Sequence, residues 1–440
     1  MNTNNFSTTI LFSHDKPVIV NGQFVKFETL LFLPSNQDRI AEGGLRKKGN
    51  FKHSYKYIVN NDCLSANRNS SFEASEGKNK STAGVLYSSV TATAYDNTDY
   101  AESKKNKIDL NCKTDTGKWY ICDTDGNPVK PASMEIQEKI EGYIKSVQDN
   151  INCDLENTDK NEDALQRPIT FLPLITVITV VFNGVKTLEE TIKSVINQTY
   201  PNVEYIIIDG GSTDGTLDII KKYEDVIDYW VSESDKGIYD AMNKGVILAM
   251  GDIIGIINSD DWYVEGVFCE IFRNLNNDHE DVCLYYGDIF IIDKNGRKSY
   301  SMKSPDIDNI KDRLLINHQT CFIKNSAYKM YGIYNDNFRV AADYELLYRL
   351  FTNGIKFKYI PKQIANYRLG GFGEENFIKI GGKEYIIIDI KYGSNPLKAY
   401  LIGYFWILRK IIKKIFVLQE DSIIIKLYRK FFDKRFENLQ

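Results

Sequence analysis

Leu174 to Phe182 reads LITVITVVF, an almost unbroken run of β-branched residues. A strand with one wet face would alternate apolar and polar residues. This run suits a parallel strand covered on both sides. The next stretch, Thr187 to Gln198 (TLEETIKSVINQ), places Leu188, Ile192, Val195 and Ile196 on one helical stripe. The rhythm then repeats. VEYIII, DYWVSE and IIGII read as strands, with TLDIIKKY and YDAMNKGVILAM as the helices between them. Strands and helices alternating in this way predict a doubly wound α/β sheet.

The flanks read differently. Residues 1–57 hold short β-like segments around Asn21-Gly22, and a polar Asn/Ser/Gly tract follows Ile58. GKWYICDTDGNPVKP predicts a hairpin around Asp125-Gly126. SMEIQEKIEGYIKSVQDNI predicts a helix through Ile136, Ile140, Ile144 and Val147, and a charged linker runs from Asp154 to Arg167. Beyond Glu374, LKAYLIGYFWILRKIIKKIFVLQ and SIIIKLYRKFFDKRF are aromatic, basic and helical in period. The expected layout is an N-terminal segment 1–57, an inserted β-rich module 58–166, a catalytic domain 173–373 and a basic helical tail 374–440.

Composition narrows the function. The 440 residues are 43% hydrophobic and 26% charged, with net charge −4, so nothing in bulk calls for nucleic acid. Seven cysteines lie scattered without Cys-x-x-Cys spacing, which argues against zinc or a disulfide framework and fits a reducing cytosol. The first thirty residues lack a basic region followed by an apolar one, so no secretory signal is expected. The longest uncharged run, Pro168 to Val185, is broken by Pro173, so a spanning helix is not expected.

In open α/β sheets ligands bind beyond the carboxyl ends of the strands. The conspicuous polar clusters fall there: Asn183-Gly184, then Asp209 to Gly215, Glu233 to Gly237, and Asn258 to Asp261. Each alone has an ordinary reading; Asp214 suits a helix cap, and Asp260-Asp261 a turn. Together they predict a shared pocket. Carboxylates without histidine or cysteine suit Mg²⁺ or Mn²⁺, which keeps coordination sites for substrate phosphates. A nucleotide diphosphate is the expected ligand. The dinucleotide fingerprint Gly-x-Gly-x-x-Gly is absent after the first strand, and no P-loop occurs.

The motifs PLITVITVVFNG, SVINQTYPNVEYIIIDGGSTDGT, SDKGIYDAMNKGV, AMGDIIGIINSDDWY and VAADYELLYRL resemble, in order and spacing, the inverting glycosyltransferase family 2. Within it they are most similar to bacterial transferases of O-antigen and other surface polysaccharides. The resemblance covers about 173–370 and implies a GT-A fold. It implies that Asp209 bonds the nucleotide base, with Asn183 at the nucleotide edge. It further implies Asp260 beside ribose and metal, Asp261 as direct metal ligand, and Asp235, Lys236 and Gly237 on nucleotide or donor. Lys244 either assists phosphate or caps its helix. Asp343 matches the general base, which a single in-line displacement requires to accept the acceptor proton. His318 and Gln319 would line the acceptor side, and Trp262 forms either an acceptor wall or core. Asn258 stands where the family motif often begins with Asp. EGGLRKKGNFKHSYKY (Glu42 to Tyr57) resembles a lead-in that usually adjoins the first strand.

Between Lys398 and Arg435 ten basic residues stand against three acids, interleaved with aromatics. Such helices lie on anionic membranes; a packed helical pair or a dimer contact is the alternative. The expected protein is a metal-dependent inverting transferase, peripheral at the cytoplasmic membrane. It would move a sugar, with UDP-sugars first among donors, to a lipid-linked oligosaccharide. A catalytically silent sugar- or nucleotide-binding protein and a sugar nucleotidyltransferase are the alternatives.

Overall fold

The computed structural model describes residues 6–18, 26–58, 117–155, 169, 171–277, 281–293, 298–305, 307, 314–416 and 436–438. By its contacts the chain divides into a large unit, Met1–Lys56 with Trp119–Gln440, and a small one, Tyr57–Lys118. Most of the small unit, the polar tract, most of the 154–167 linker and the SIIIKLYRKFF segment lie outside the described residues.

Before the catalytic region come β1 (Arg39–Gly43), β2 (Tyr55–Ile58), β3 (Lys118–Cys122), β4 (Pro128–Pro131), helix α1 (Met134–Leu155) and β5 (Phe171–Leu172). Thus the expected hairpin and helix are both present. β4-β3-β2-β5 form a four-stranded sheet. In it Tyr55 pairs with Leu172 and Lys56 with Phe171. The lead-in is therefore returned to the start of the first catalytic strand, although over a hundred residues separate them in sequence.

LITVITVV becomes β6 (Ile175–Val181), with every residue buried. Around it lie β7 (Val203–Asp209), β8 (Tyr229–Glu233) and β9 (Ile253–Asn258) in the order β8-β7-β6-β9, all parallel. Helices α2 (Leu188–Ile196), α3 (Thr216–Lys222) and α4 (Ile238–Leu248) connect them. Each fully buried Ile or Val contributes roughly 1.5–3 kcal/mol, so the continuous apolar run fixes β6 at the centre. The chain steps from β6 outward to β7 and β8, then returns to the other side of β6 as β9. That reversal opens a crevice between the ends of β6 and β9.

Antiparallel pairings, with β14 parallel to β11, extend this block into an eleven-stranded mixed sheet. At one edge β1 pairs with β8. Behind it Arg46 donates to the buried Glu204 carboxylate and to the Leu248 carbonyl (2.9 Å). At the other edge come β10 (Trp262–Tyr263), helix α5 (Val267–Asn277), β11 (Val282–Ile292), β12 (Lys298–Met302), β13 (Phe322–Lys324), helix α6 (Asn325–Tyr331), helix α7 (Ala342–Thr352), β14 (Lys356–Arg368) and β15 (Phe436–Asn438). Two further helices, α8 (Gly382–Lys391) and α9 (Pro396–Phe416), then pack on each other. They touch closely at Gly382, where a Cβ would collide with Ile407.

Candidate active site

The crevice is a cavity of about 1150 Å³ with three walls. One wall carries Phe182, Asn183, Asp235, Lys236, Gly237, Asn258, Ser259 and Asp260 from the strand ends. A second carries His318, Gln319, Arg339, Asp343 and Tyr344. The third comes from the C-terminal region: Phe372, Phe377, Tyr385, Trp406 and Lys410.

At the first wall Asn183 holds the left-handed conformation (φ 52°), alone among the described non-glycine residues. Its N–H donates to Ser212 Oγ (2.7 Å) and its Oδ1 accepts from Thr213 N–H (2.9 Å), which ties the ends of β6 and β7 together. This strained turn leaves Phe182 65% exposed on the cavity. Sequence reasoning missed Phe182, although an apolar ring at the last position of a buried strand was a visible signal. Asp235 accepts from Gly237 N–H (2.8 Å), and burial raises its pKa.

Asp209 departs from its expected place. It is fully buried, and its carboxylate accepts from Ser212 N–H, Ser212 Oγ and Ser232 Oγ, so it braces the loop and is not presented to a base. Lys244 departs as well. Its ammonium pairs with Glu233 (3.0 Å) and Asp240 (3.5 Å) and donates to Ser234 O (3.1 Å), which directs it away from phosphate.

The neighbouring acids Asp260 and Asp261 have opposite surroundings. Asp260 lines the cavity, and no side chain among the described residues donates to its carboxylate. Asp261 is fully buried; it accepts from Gln319 Nε2 (2.9 Å) and from Arg368 N–H (2.9 Å). Burial, and then the adjacent Asp260, push the Asp261 carboxyl well above the usual range. Burial likewise raises Asp260. The expectation that Asp261 ligates metal directly is therefore not met, because its oxygens are committed to the fold behind the motif.

The oxygens at the end of β9 fit a hard cation. Asn258 Oδ1 is buried and has no hydrogen-bond partner, and the Asp260 carboxylate is two residues away. Among the described residues no three His, Cys, Asp or Glu side chains cluster as a metal site. Mg²⁺ and Mn²⁺ do not need such a cluster, since one or two carboxylates with substrate phosphates and water complete their shell.

Asp343 sits on the second wall at the start of α7. Its Oδ2 lies 3.2 Å from His318 Nδ1; its Oδ1 accepts from Tyr239 O–H (3.1 Å) and Tyr344 N–H (2.9 Å). Burial works to raise its pKa, but the bond and charge of His318 and the other donors outweigh it and hold the carboxyl below its ordinary value. The other ring nitrogen, His318 Nε2, lies 3.4 Å from Asn258 Nδ2. His318 thus spans the gap between Asn258 and Asp343. Trp262 lies off the cavity: it pairs with Asn366 across β10 and β14, and the Arg368 guanidinium covers its ring at 4.9 Å. It belongs to the packing behind the motif, with Gln319 bridging from there to the cavity.

A sequence profile described as glycosyl transferase family 2 matches residues 176–333. A PGL/p-HBAD biosynthesis glycosyltransferase of Mycobacterium bovis is 29% identical over 226 residues, 50% of this chain and 82% of that protein. An uncharacterized glycosyltransferase of Mycobacterium tuberculosis is 32% identical over 190 residues, 41% of this chain and 70% of that protein. Among solved structures, the mannosyltransferase PcManGT from Pyrobaculum calidifontis in complex with GDP-Man and Mn²⁺ superposes with a TM-score of 0.42 at 16% identity. That match covers 66% of this chain and 88% of the other. Staphylococcus aureus TarS in complex with UDP-GlcNAc gives a TM-score of 0.39 at 16% identity, covering 58% and 77%.

Proposed function

This chain belongs to glycosyl transferase family 2 and is a glycosyltransferase; from that premise we propose the reaction it carries out. It transfers a sugar from a nucleotide-diphospho donor, a UDP-sugar in first place, to a hydroxyl of a lipid-linked oligosaccharide, with inversion. The setting is surface-polysaccharide assembly at the cytoplasmic face of the membrane, with the basic C-terminal region as the membrane contact. The observation that carries this reading is one cavity with the Asp260 carboxylate and the Asp343 carboxylate on separate walls.

Asn183, Asp235, Lys236 and Gly237 form the donor edge, with the exposed Phe182 ring available to stack on the base. Asp260 and Asn258 Oδ1 would hold Mg²⁺ or Mn²⁺, which when bound offsets charge on the departing diphosphate. Asp261, Asp209 and Lys244 act one layer back by fixing the loops that carry those groups. Asp343, kept ionised by His318, Tyr239 and the Tyr344 N–H, accepts the acceptor hydroxyl proton as the new glycosidic bond forms. His318 and Gln319 line the acceptor side.

Release of nucleotide from a panel of nucleotide sugars with Mn²⁺ tests the proposal. One donor should be turned over, and Asp260→Ala and Asp343→Asn should each slow transfer by on the order of 10²- to 10³-fold while leaving the fold intact. Turnover unaffected by both substitutions would refute it. A silent binding protein would show nucleotide affinity without turnover. A nucleotidyltransferase would release pyrophosphate from a nucleoside triphosphate.

A further inference from the structure

Helix α9 has two distinct faces. At 100° per residue, Leu397, Tyr400, Leu401, Tyr404, Phe405 and Leu408 fall in a stripe about 140° wide. All six are exposed, between 48% and 69%. Ala399 is buried on the opposite side, and Trp406 and Lys410 line the cavity there. A contiguous apolar face of this kind on a helix that already has its packing partner marks an interaction surface.

We propose that this outer stripe docks on an anionic lipid bilayer, so that the helix walling the cavity is also the one lying on the membrane. The proposal rests on the lipid-linked acceptor of the preceding reading and assigns the residues that bring the cavity to it. Two observations choose lipid over another protein chain. First, α9 contains Lys398, Arg409, Lys410, Lys413 and Lys414 and no acid, in a chain whose net charge is −4. An apolar face on a basic helix that contains no acid matches an anionic headgroup layer above acyl chains. Second, the stripe carries three aromatic residues and lies on a helix that, like every helix among the described residues, is not long and apolar enough to cross a membrane. The aromatic residues Tyr400, Tyr404 and Phe405 suit the interfacial depth such a helix occupies.

Flotation of the full-length protein with phosphatidylcholine vesicles, with and without phosphatidylglycerol, tests this directly. Wild type should float with the anionic vesicles and not with the neutral ones, and added salt should weaken binding. The triple variant Leu401→Glu/Phe405→Glu/Leu408→Glu should lose about tenfold or more in partitioning. Its melting temperature and its nucleotide-sugar hydrolysis in solution should stay at wild-type values, because the three residues face away from the cavity. Flotation of the triple variant equal to wild type would overturn the proposal. So would wild type that ignores anionic vesicles and is instead a dimer that the triple variant dissociates, since the stripe would then cover a second copy. Loss of hydrolysis in every protein with flotation as expected would sink the transferase reading and leave the docking surface standing.

Discussion

The strand-end wall and the C-terminal wall enclose the same cavity but are built in opposite ways. Each residue of the strand-end wall lies within a few positions of a strand end, and the strand's burial holds it there. Asn183 follows β6, Asp235 follows β8, and Asn258 to Asp260 close β9. The opposite wall is drawn from Phe372, Phe377, Tyr385, Trp406 and Lys410, more than a hundred residues beyond β9. Those residues reach the cavity because the C-terminal region folds back on α7: Tyr385 of α8 meets the Tyr344 ring at 4.4 Å, Tyr344 O–H donates to Asp389 (2.7 Å), and α9 packs on α8. Chemistry that depends on one strand end can be read locally, whereas a wall made by helix packing cannot.

Substitutions can break this comparison in order of expected effect. Asp343→Asn should cost on the order of 10³-fold in kcat with little change in donor KM, measured as transfer rate against donor concentration. An equal loss confined to donor KM would move Asp343 to the donor side. The adjacent acids should then separate cleanly. Asp260→Ala should lose roughly 10²-fold in turnover at an unchanged melting temperature. Asp261→Ala should instead destabilise the fold by about 2–4 kcal/mol in denaturant titration, because Gln319 Nε2 and the Arg368 N–H are left buried without an acceptor. If the two variants exchanged behaviour, Asp261 would be the cavity carboxylate after all.

A pH effect of intermediate size should arise far from the cavity. Burial lowers the His53 pKa from 6.5 to about 4. Between those values the unfolded chain binds a proton that the folded one refuses, so stability falls with acidification. The contribution is full above pH 6.5 and is lost as pH falls toward 4, on the order of 2–3 kcal/mol. The stability difference between wild type and His53→Gln should narrow or invert across that window; a constant difference would show that His53 titrates normally. The smallest effect is expected at Lys244. Lys244→Met should alter donor KM by less than about twofold, because Glu233 and Asp240 already hold the ammonium. A larger rise in donor KM would return Lys244 to the phosphate.

Much of the site could be read before any coordinates. The β6 run, the glycine-punctuated turns and the carboxylates at successive strand ends follow from hydrophobic period and turn chemistry, both of which are local. Asn183, Asp235, Asp260, His318 and Asp343 all line the cavity. The residues that changed role did so through orientation. Asp209 and Asp261 sit at the right strand ends, yet their carboxylates turn inward to Ser212, Ser232, Gln319 and the Arg368 N–H. Whether a strand-end acid faces the cleft or the core depends on donors supplied from distant segments. Trp262 differs for the same reason, since Arg368 arrives over its ring from β14.

The amino-acid sequence by itself determined the family, the alternation of strands and helices and the edge where the polar clusters gather, because these reside in periodicity and in motifs a few residues long. Tertiary structure alone decided which of two neighbouring acids meets the cavity, how His318 comes to bridge Asn258 and Asp343, and that α9 presents one face to the site and another outward. Those outcomes depend on contacts between residues as far apart as 58, 60 and 107 positions. Only packing, which weighs burial against available hydrogen-bond partners, sets them.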